Sequence, residues 1–147
     1  MMTIGFTAIL LGLAAIIYPL RNNKFYLLNA ALIIGAAYFF ENNCFRVTNI
    51  FNYKTLLLFL LFWIVATNFT TFVAYGVDKR AAIKKTWRVP EKDLHMLEFL
   101  GGWIGAWVGQ KFFRHKTAKK SYQAMYKLMI VLEFLAIWGL LRFFNLF

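Results

Sequence analysis

The sequence predicts an all-α polytopic membrane protein with four transmembrane helices and one glycine-kinked re-entrant helical hairpin. Three observations lead there. Apolar residues make up 61% of the 147 and charged residues only 16%, against about half and about a quarter in soluble domains. A soluble body this small has too much surface for its volume to hide so many large apolar side chains. The apolar residues also come in runs of about the length that crosses a bilayer. Finally, the basic residues, which give a formal charge of +11, gather between the runs, above all in residues 78–120.

Residues 3–20 form the first run. No Lys or Arg precedes it, while Arg21 and Lys24 follow; a secretory signal carries its positive charge in front. A retained helix with its N-terminus outside is the expectation. Pro19 ends it, and the stretch RNNK makes a turn. Residues 25–40 form a second run, and 41–54, with Asn42, Asn43, Asn49 and Asn52, a polar loop or short interfacial helix. Residues 55–77 are the longest crossing, interrupted by Asn68, Thr70 and Thr71. A last helix starts near Ser121, with Trp138, Phe143, Phe144 and Phe147 as interfacial anchors. The organisation is therefore an N-terminal two-helix hairpin with an outer loop (1–54), followed by a membrane domain (55–147). Cys44 is the one cysteine, so no internal disulfide is possible.

Residues 94–110 decide the topology. A fifth crossing, the alternative fold, divides the Lys and Arg about nine to eight between the two sides. A segment that dips in and returns places fourteen on one side and leaves only Arg46, Lys54 and Arg142 opposite. The preference for positive charge on the cytoplasmic side selects the second arrangement. Gly101 and Gly102 offer a place to turn, and Glu98 and Gln110 are costly against lipid. Both termini then lie outside.

Polar residues line up at one depth. Asn68, Thr71, Tyr75 and Asp78 fall at i, i+3, i+7 and i+10, one stripe of a helix. Asn68 and Glu133 both lie roughly 15 Å in from the basic side at about 1.5 Å per residue, where Glu98 and the glycine turn arrive. Interhelical hydrogen bonding explains the Asn and Thr; an intramembrane carboxylate such as Glu133 is a functional candidate. Pro90, Glu91 and Asp93 read as a helix start. Glu91, His95 and Glu98 share a face of that helix. With His115 or Asp78 they have the composition of a metal site, but any acidic helix start containing a His gives this pattern. No metal is assigned and no cofactor is identified. Arg114, His115 and Lys116 suit a helix C-terminus, or a clamp on phosphate with Arg88 and Lys79.

These residues carry a resemblance. Asn68, Phe72, Tyr75, Asp78, Lys79, Ala82, Trp87 to Glu91, Leu94, Gly101, Gly102, Gly105, Ala106 and Arg114 to Thr117 resemble a family of small bacterial membrane proteins, the domain of unknown function 1294. The likeness covers about residues 65–122. Some members carry a cold-shock domain in front; here two apolar helices stand there instead, and Tyr122 replaces the usual Phe. The resemblance implies an architecture, a residue shortlist and a place in the bacterial inner membrane, and no reaction.

The functional expectation is a non-enzymatic membrane module whose basic cytoplasmic face binds anionic phospholipid headgroups or an acidic partner protein, alone or as a homo-oligomer. The alternative is a membrane-embedded enzyme acting on a lipid-like substrate, with His95 or His115 as acid or base beside Glu91, Glu98 or Asp78. A transporter subunit, motivated by Glu133 and the broken hairpin, ranks behind both. So does a nucleic-acid tether, since no nucleic-acid-reading module is present.

Overall fold

A computed structural model describes residues 2–16, 24–43 and 53–143, and these are helical throughout apart from short connections. The helices are α1 (Met2–Ile16), α2 (Lys24–Asn43), α3 (Tyr53–Lys84), α4 (Glu91–Leu97), a π-helical turn (Glu98–Gly102), α5 (Trp103–Phe112) and α6 (Lys120–Phe143). Pro19 and the RNNK turn, Cys44 and most of the polar loop, and the anchors Phe144 and Phe147 lie outside the described residues. Among the described residues two helices, Lys24–Asn42 and Leu57–Lys84, are long and apolar enough to cross a membrane. The described part of α1 is 15 residues, and α6 interrupts its apolar run with Lys127 and Glu133. The chain forms two compact units, Met1–Thr70 and Thr71–Phe147, which divide inside α3.

The first unit packs by aromatic and aliphatic contact. Phe6 and Leu10 from α1, Ile33 and Ala37 from α2, and Phe59, Phe62 and Ala66 from α3 form its core. Phe6 meets Phe59 edge-on at 4.6 Å between ring centres, a favoured aromatic geometry. Its polar groups are partly satisfied: among the described residues Asn29 Oδ1 and Thr70 Oγ1 are buried without a hydrogen-bond partner, whereas others are paired. Asn29 donates to the Thr67 hydroxyl at 3.0 Å, and Tyr26 donates to the Leu10 carbonyl at 3.0 Å. Asn68 turns its amide on the Ile64 carbonyl of its own helix at 2.8 Å.

The second unit is built around a helical hairpin. Pro90, extended at φ −57° and ψ 137°, cannot donate a backbone hydrogen bond and so suits the helix entry; its carbonyl accepts from Asp93 at 3.0 Å. α4 runs into the π-helical turn, where Gly101 stands at φ 98°. That left-handed geometry is open to glycine and strained for other residues. α5 then leads back. Gly105, Ala106, Gly109 and Gln110 form its buried face. A Cβ on Gly109 would stand 3.0 Å from that of Tyr75, so the small residues let α5 approach α3 closely. At the tip, Gly102 lies against the Thr71 hydroxyl, and Gly101 faces Glu133 Oε1. At the open end Lys116 reaches Glu91. The entering and leaving strands of the hairpin therefore meet again at one place.

The tip is the tightest point. A methyl group at residue 102 would collide with Thr71 Oγ1 and sit 2.6 Å from the Leu97 carbonyl oxygen. Gly102→Ala is expected to destabilise the protein by about 1–3 kcal/mol through overpacking. Gly35, with nothing within 4 Å of its added Cβ, is the contrast: Gly35→Ala is expected to be neutral or stabilising by up to about 1 kcal/mol. Thermal unfolding of the two variants in detergent checks the difference.

Candidate functional site

Two buried carboxylates organise the second unit, each held by a histidine. Asp78, on the last turns of α3, is fully buried. Its Oδ2 accepts from His115 Nε2 at 2.8 Å and meets Lys116 Nζ at 3.2 Å. Arg88 spans both oxygens, Nε and Nη2 each at 3.3 Å. Burying a carboxylate costs several kcal/mol unless it is paired and hydrogen-bonded; three basic side chains supply that here. The loop that delivers two of them is bent to do so. Arg114 and Lys116 both adopt left-handed backbone, at φ 46° and 60°, conformations uncommon for non-glycine residues. Lys116 also reaches Glu91 Oε1 at 3.4 Å, and Lys119 holds both Glu91 oxygens at 2.8 and 3.0 Å. Lys119, with Lys116 behind it, keeps the Glu91 carboxyl below the usual carboxylate range.

One helical turn away lies Glu98, also fully buried. Its Oε1 accepts from Tyr75 at 2.5 Å and Tyr122 at 2.9 Å, and the two phenol oxygens are 2.7 Å apart. Its Oε2 is 2.6 Å from His95 Nδ1. Gln110 donates to the Tyr75 oxygen at 3.0 Å, and Gln123 donates to Gln110 at 2.6 Å and to the Lys116 carbonyl at 3.0 Å. The His95 ring stacks on Tyr122 at 4.3 Å, and the Lys116 ammonium lies 4.6 Å from the centre of the same ring. Tyr122 and Lys116 thus join the two carboxylate sites.

The residues expected from the sequence divide accordingly. Asp78, Arg88, Glu91, His115 and Lys116 come together at the open end of the hairpin. Tyr75, His95 and Glu98 come together one turn deeper. Glu91 and His95, which share a helix face in the sequence, go to different clusters. Thr71 packs at the tip. Glu133 is near Gly101, and its Oε2 is buried without a hydrogen-bond partner. Arg114 is exposed and Lys79 half-buried; neither touches Asp78 or Glu91. Among the described residues, no three His, Cys, Asp or Glu side chains are grouped to hold a metal ion. Sequence reasoning missed Tyr122, Gln110, Gln123 and Lys119 as members of the network. A signal is present for Gln110, a glutamine that follows the apolar stretch GGWIGAWVG.

Removing the carboxylate at the centre is expected to be far worse than removing its most exposed partner. Asp78→Ala leaves the buried Lys116, whose side chain is 4% exposed, with Glu91 at 3.4 Å as its remaining ion pair, takes the acceptor from His115, and should cost about 3–5 kcal/mol. Arg88→Ala, with a side chain 52% exposed, should cost less than about 1 kcal/mol. Equal losses in detergent unfolding would contradict this ordering. Acid gives a second check. Because Glu91 is depressed in the folded protein, its ion pairs contribute fully above the free-glutamate value of about 4.3 and are lost as pH falls through the lower native value. The melting temperature of the native chain should fall over that window more steeply than that of Glu91→Gln.

Comparison with known proteins places this site. Residues 68–122 match the family described as protein of unknown function, DUF1294. The chain is similar to the uncharacterized protein YsdA of Bacillus subtilis (strain 168), 35% identical over 71 residues, which cover 48% of this chain and 80% of that one. No solved structure matches. The matched segment starts on α3 before Asp78 and ends at Tyr122, so it holds both carboxylates, both histidines and the whole hairpin. By that match and the coverage of its relative, the chain belongs to the DUF1294 family of unknown function.

Proposed function

We propose that the protein is an integral membrane module whose basic end binds anionic phospholipid headgroups. In this reading four helices cross the bilayer and the α4–α5 hairpin enters and leaves from the cytoplasmic side of a bacterial inner membrane. The observation that carries it is a collar of exposed basic side chains. Arg80, Lys84, Lys85, Lys92, Arg114 and Lys120 are exposed, and none makes an ion pair among the described residues. All stand within a few positions of Asp78, Glu91 or His115, at the end where the hairpin closes. Cations in excess of nearby carboxylates attract anionic headgroups at about 1 kcal/mol each.

This geometry redistributes the expected clamp. Lys79 and Arg114 stay with the collar, and Arg88, half-exposed, stands at its edge. His115 and Lys116 are turned inward on Asp78, so their part is to shape the loop that presents the collar. Phosphatidylglycerol binding to the detergent-purified protein, followed at rising salt, tests the reading. Each Lys→Gln change among 84, 85 and 92 should weaken binding about five-fold, and salt should weaken the native protein more than the triple variant. A preference for phosphatidylglycerol over phosphatidylcholine that survives all three changes would sink it. Labelling of a Cys placed at Thr117 from outside intact cells would overturn the hairpin's sidedness.

A second reading is favoured by one feature. His115 gives Nε2 to a fully buried Asp78, while its Nδ1 has no partner among the described residues. A carboxylate that orients an imidazole and leaves its other nitrogen open is the arrangement of a general base. If the protein is a membrane-embedded acid–base enzyme, His115→Ala abolishes its activity in vivo at normal protein level; full complementation by that variant removes this reading.

A further inference from the structure

We propose that Glu98 is a proton-binding site, loaded and unloaded through His95, that couples protonation to the grip of α3 and α6 on the hairpin. The argument starts with hydrogen-bond accounting. Tyr75 Oη, Tyr122 Oη and Glu98 Oε1 stand 2.5, 2.7 and 2.9 Å from one another, a triangle with three short edges. The two phenols bring two protons. Gln110 adds a donor to the Tyr75 oxygen but none along an edge. When Glu98 is ionised it accepts from both phenols on Oε1 and from His95 on Oε2. When it is protonated, its own proton serves the third edge or the bond to His95. Both states are therefore hydrogen-bonded with the same side chains in the same places, a condition that most buried carboxylates do not meet.

The second part of the argument is access. Glu98 and the oxygens around it are buried, whereas the His95 side chain is 12% exposed. His95 Nδ1 lies on Glu98 Oε2 at 2.6 Å, and its Nε2 has no partner among the described residues. A proton taken up on Nε2 gives an imidazolium; release of the Nδ1 proton to Oε2 leaves a neutral ring and a carboxylic acid. Charge and protons balance, and the reverse path empties the site. The ring is kept in place by stacking on Tyr122, which itself bonds Glu98.

The groups around Glu98 come from every element packed against it: Tyr75 on α3, His95 on α4, the Gln110 amide on α5 by way of the Tyr75 oxygen, and Tyr122 and Tyr126 on α6, with Glu133 of α6 facing the same turn at Gly101. The cation nearest beyond them is Lys116, over the Tyr122 ring and already engaged by Asp78 and Glu91. Glu98 belongs to the π-helical turn itself, and π-turns within helices occur often at functional sites. Its bonds to Tyr75 and Tyr122 are what fastens the hairpin to the two long helices at this depth. An ionised carboxylate accepts charge-assisted bonds, about twice as strong as neutral ones. Protonation accordingly loosens the hairpin without breaking it.

Infrared difference spectroscopy of the full chain in lipid nanodiscs reads the site directly. The native spectrum minus that of Glu98→Gln, an isosteric change, is expected to hold a carboxylic-acid carbonyl component that grows as pH falls, beyond the bands that Glu133, Glu91 and the other carboxylates give in both proteins. His95→Gln should keep the component, because Glu98 is intact, but slow its rise after a pH jump at least tenfold, since an amide cannot relay a proton from the surface to Oε2. No such component in the difference at any pH at which the protein stays folded, or an unchanged rate of its rise in His95→Gln, would each overturn the proposal.

Discussion

The second unit depends on neutralising Asp78. A carboxylate with no exposed surface is tolerable only where cations and donors surround it, and here three side chains come from two places: Arg88 in the segment before α4, and the successive residues His115 and Lys116 after α5. Meeting that requirement fixes the ends of the hairpin. Arg88 must return to α3 from ten residues downstream, and His115 and Lys116 must return from thirty-seven and thirty-eight downstream. A chain that satisfies Asp78 from both sides has no choice but to bring residues 88 and 115 together. The left-handed backbone at Arg114 and Lys116 follows from the same demand, since two adjacent side chains must both turn inward on one acceptor. Strain of this kind persists where surrounding contacts over-determine it.

Lys116 carries the constraint from one layer to the next. Its ammonium touches Asp78 and Glu91, lies over Tyr122, and its carbonyl accepts from Gln123. Tyr122 in turn is one corner of the Glu98 triangle. The open end, closed by ion pairs, and the middle, closed by a carboxylate among phenols, are thus not independent. Deeper still the chemistry changes: Gly109 against Tyr75 and Gly102 against Thr71 leave room for backbone and nothing else. Charge holds the hairpin where water is near, hydrogen bonds hold it one turn in, and close packing of small residues holds the tip.

Much of this is legible in the residues. The Gly101–Gly102 pair gives the position of the turn because left-handed backbone needs glycine, and Thr71, Tyr75 and Asp78 of the stripe give the face of α3 that the hairpin meets, while Asn68 turns back on its own helix. The acidic first turn after Pro90 gives the start of α4. What local spacing cannot give is pairing across the hairpin. Glu91, His95 and Glu98 look alike as a stripe, yet a helix of seven residues followed by a π-turn rotates Glu98 and His95 toward Tyr122 and leaves Glu91 to Lys119. The basic run 114–120 likewise looks uniform. Its members part company because only two of them sit at the bend that faces Asp78, while the others remain at the surface. Periodicity identifies which residues share a face; closing distances along the chain decide which faces meet.

The extent of the family match coincides with the hairpin and its contacts in this chain. Residues 68–122 begin one turn before the tip contact at Thr71 and stop at Tyr122, so they enclose the ion-pair layer, the Glu98 triangle and the glycine tip. Gln123, Tyr126 and Glu133 fall beyond the match, as do α1, α2 and the first half of α3. A hairpin whose ends are locked by one buried aspartate is a self-contained device: it needs a single helix to lean on and a short piece of another to close it. The helices in front can then differ without disturbing it, because no group in either carboxylate cluster is drawn from them. Each of the two imidazoles in this device has one nitrogen on a buried carboxylate, His95 on Glu98 and His115 on Asp78, so position and tautomer of both rings are set by the same two groups that hold the hairpin.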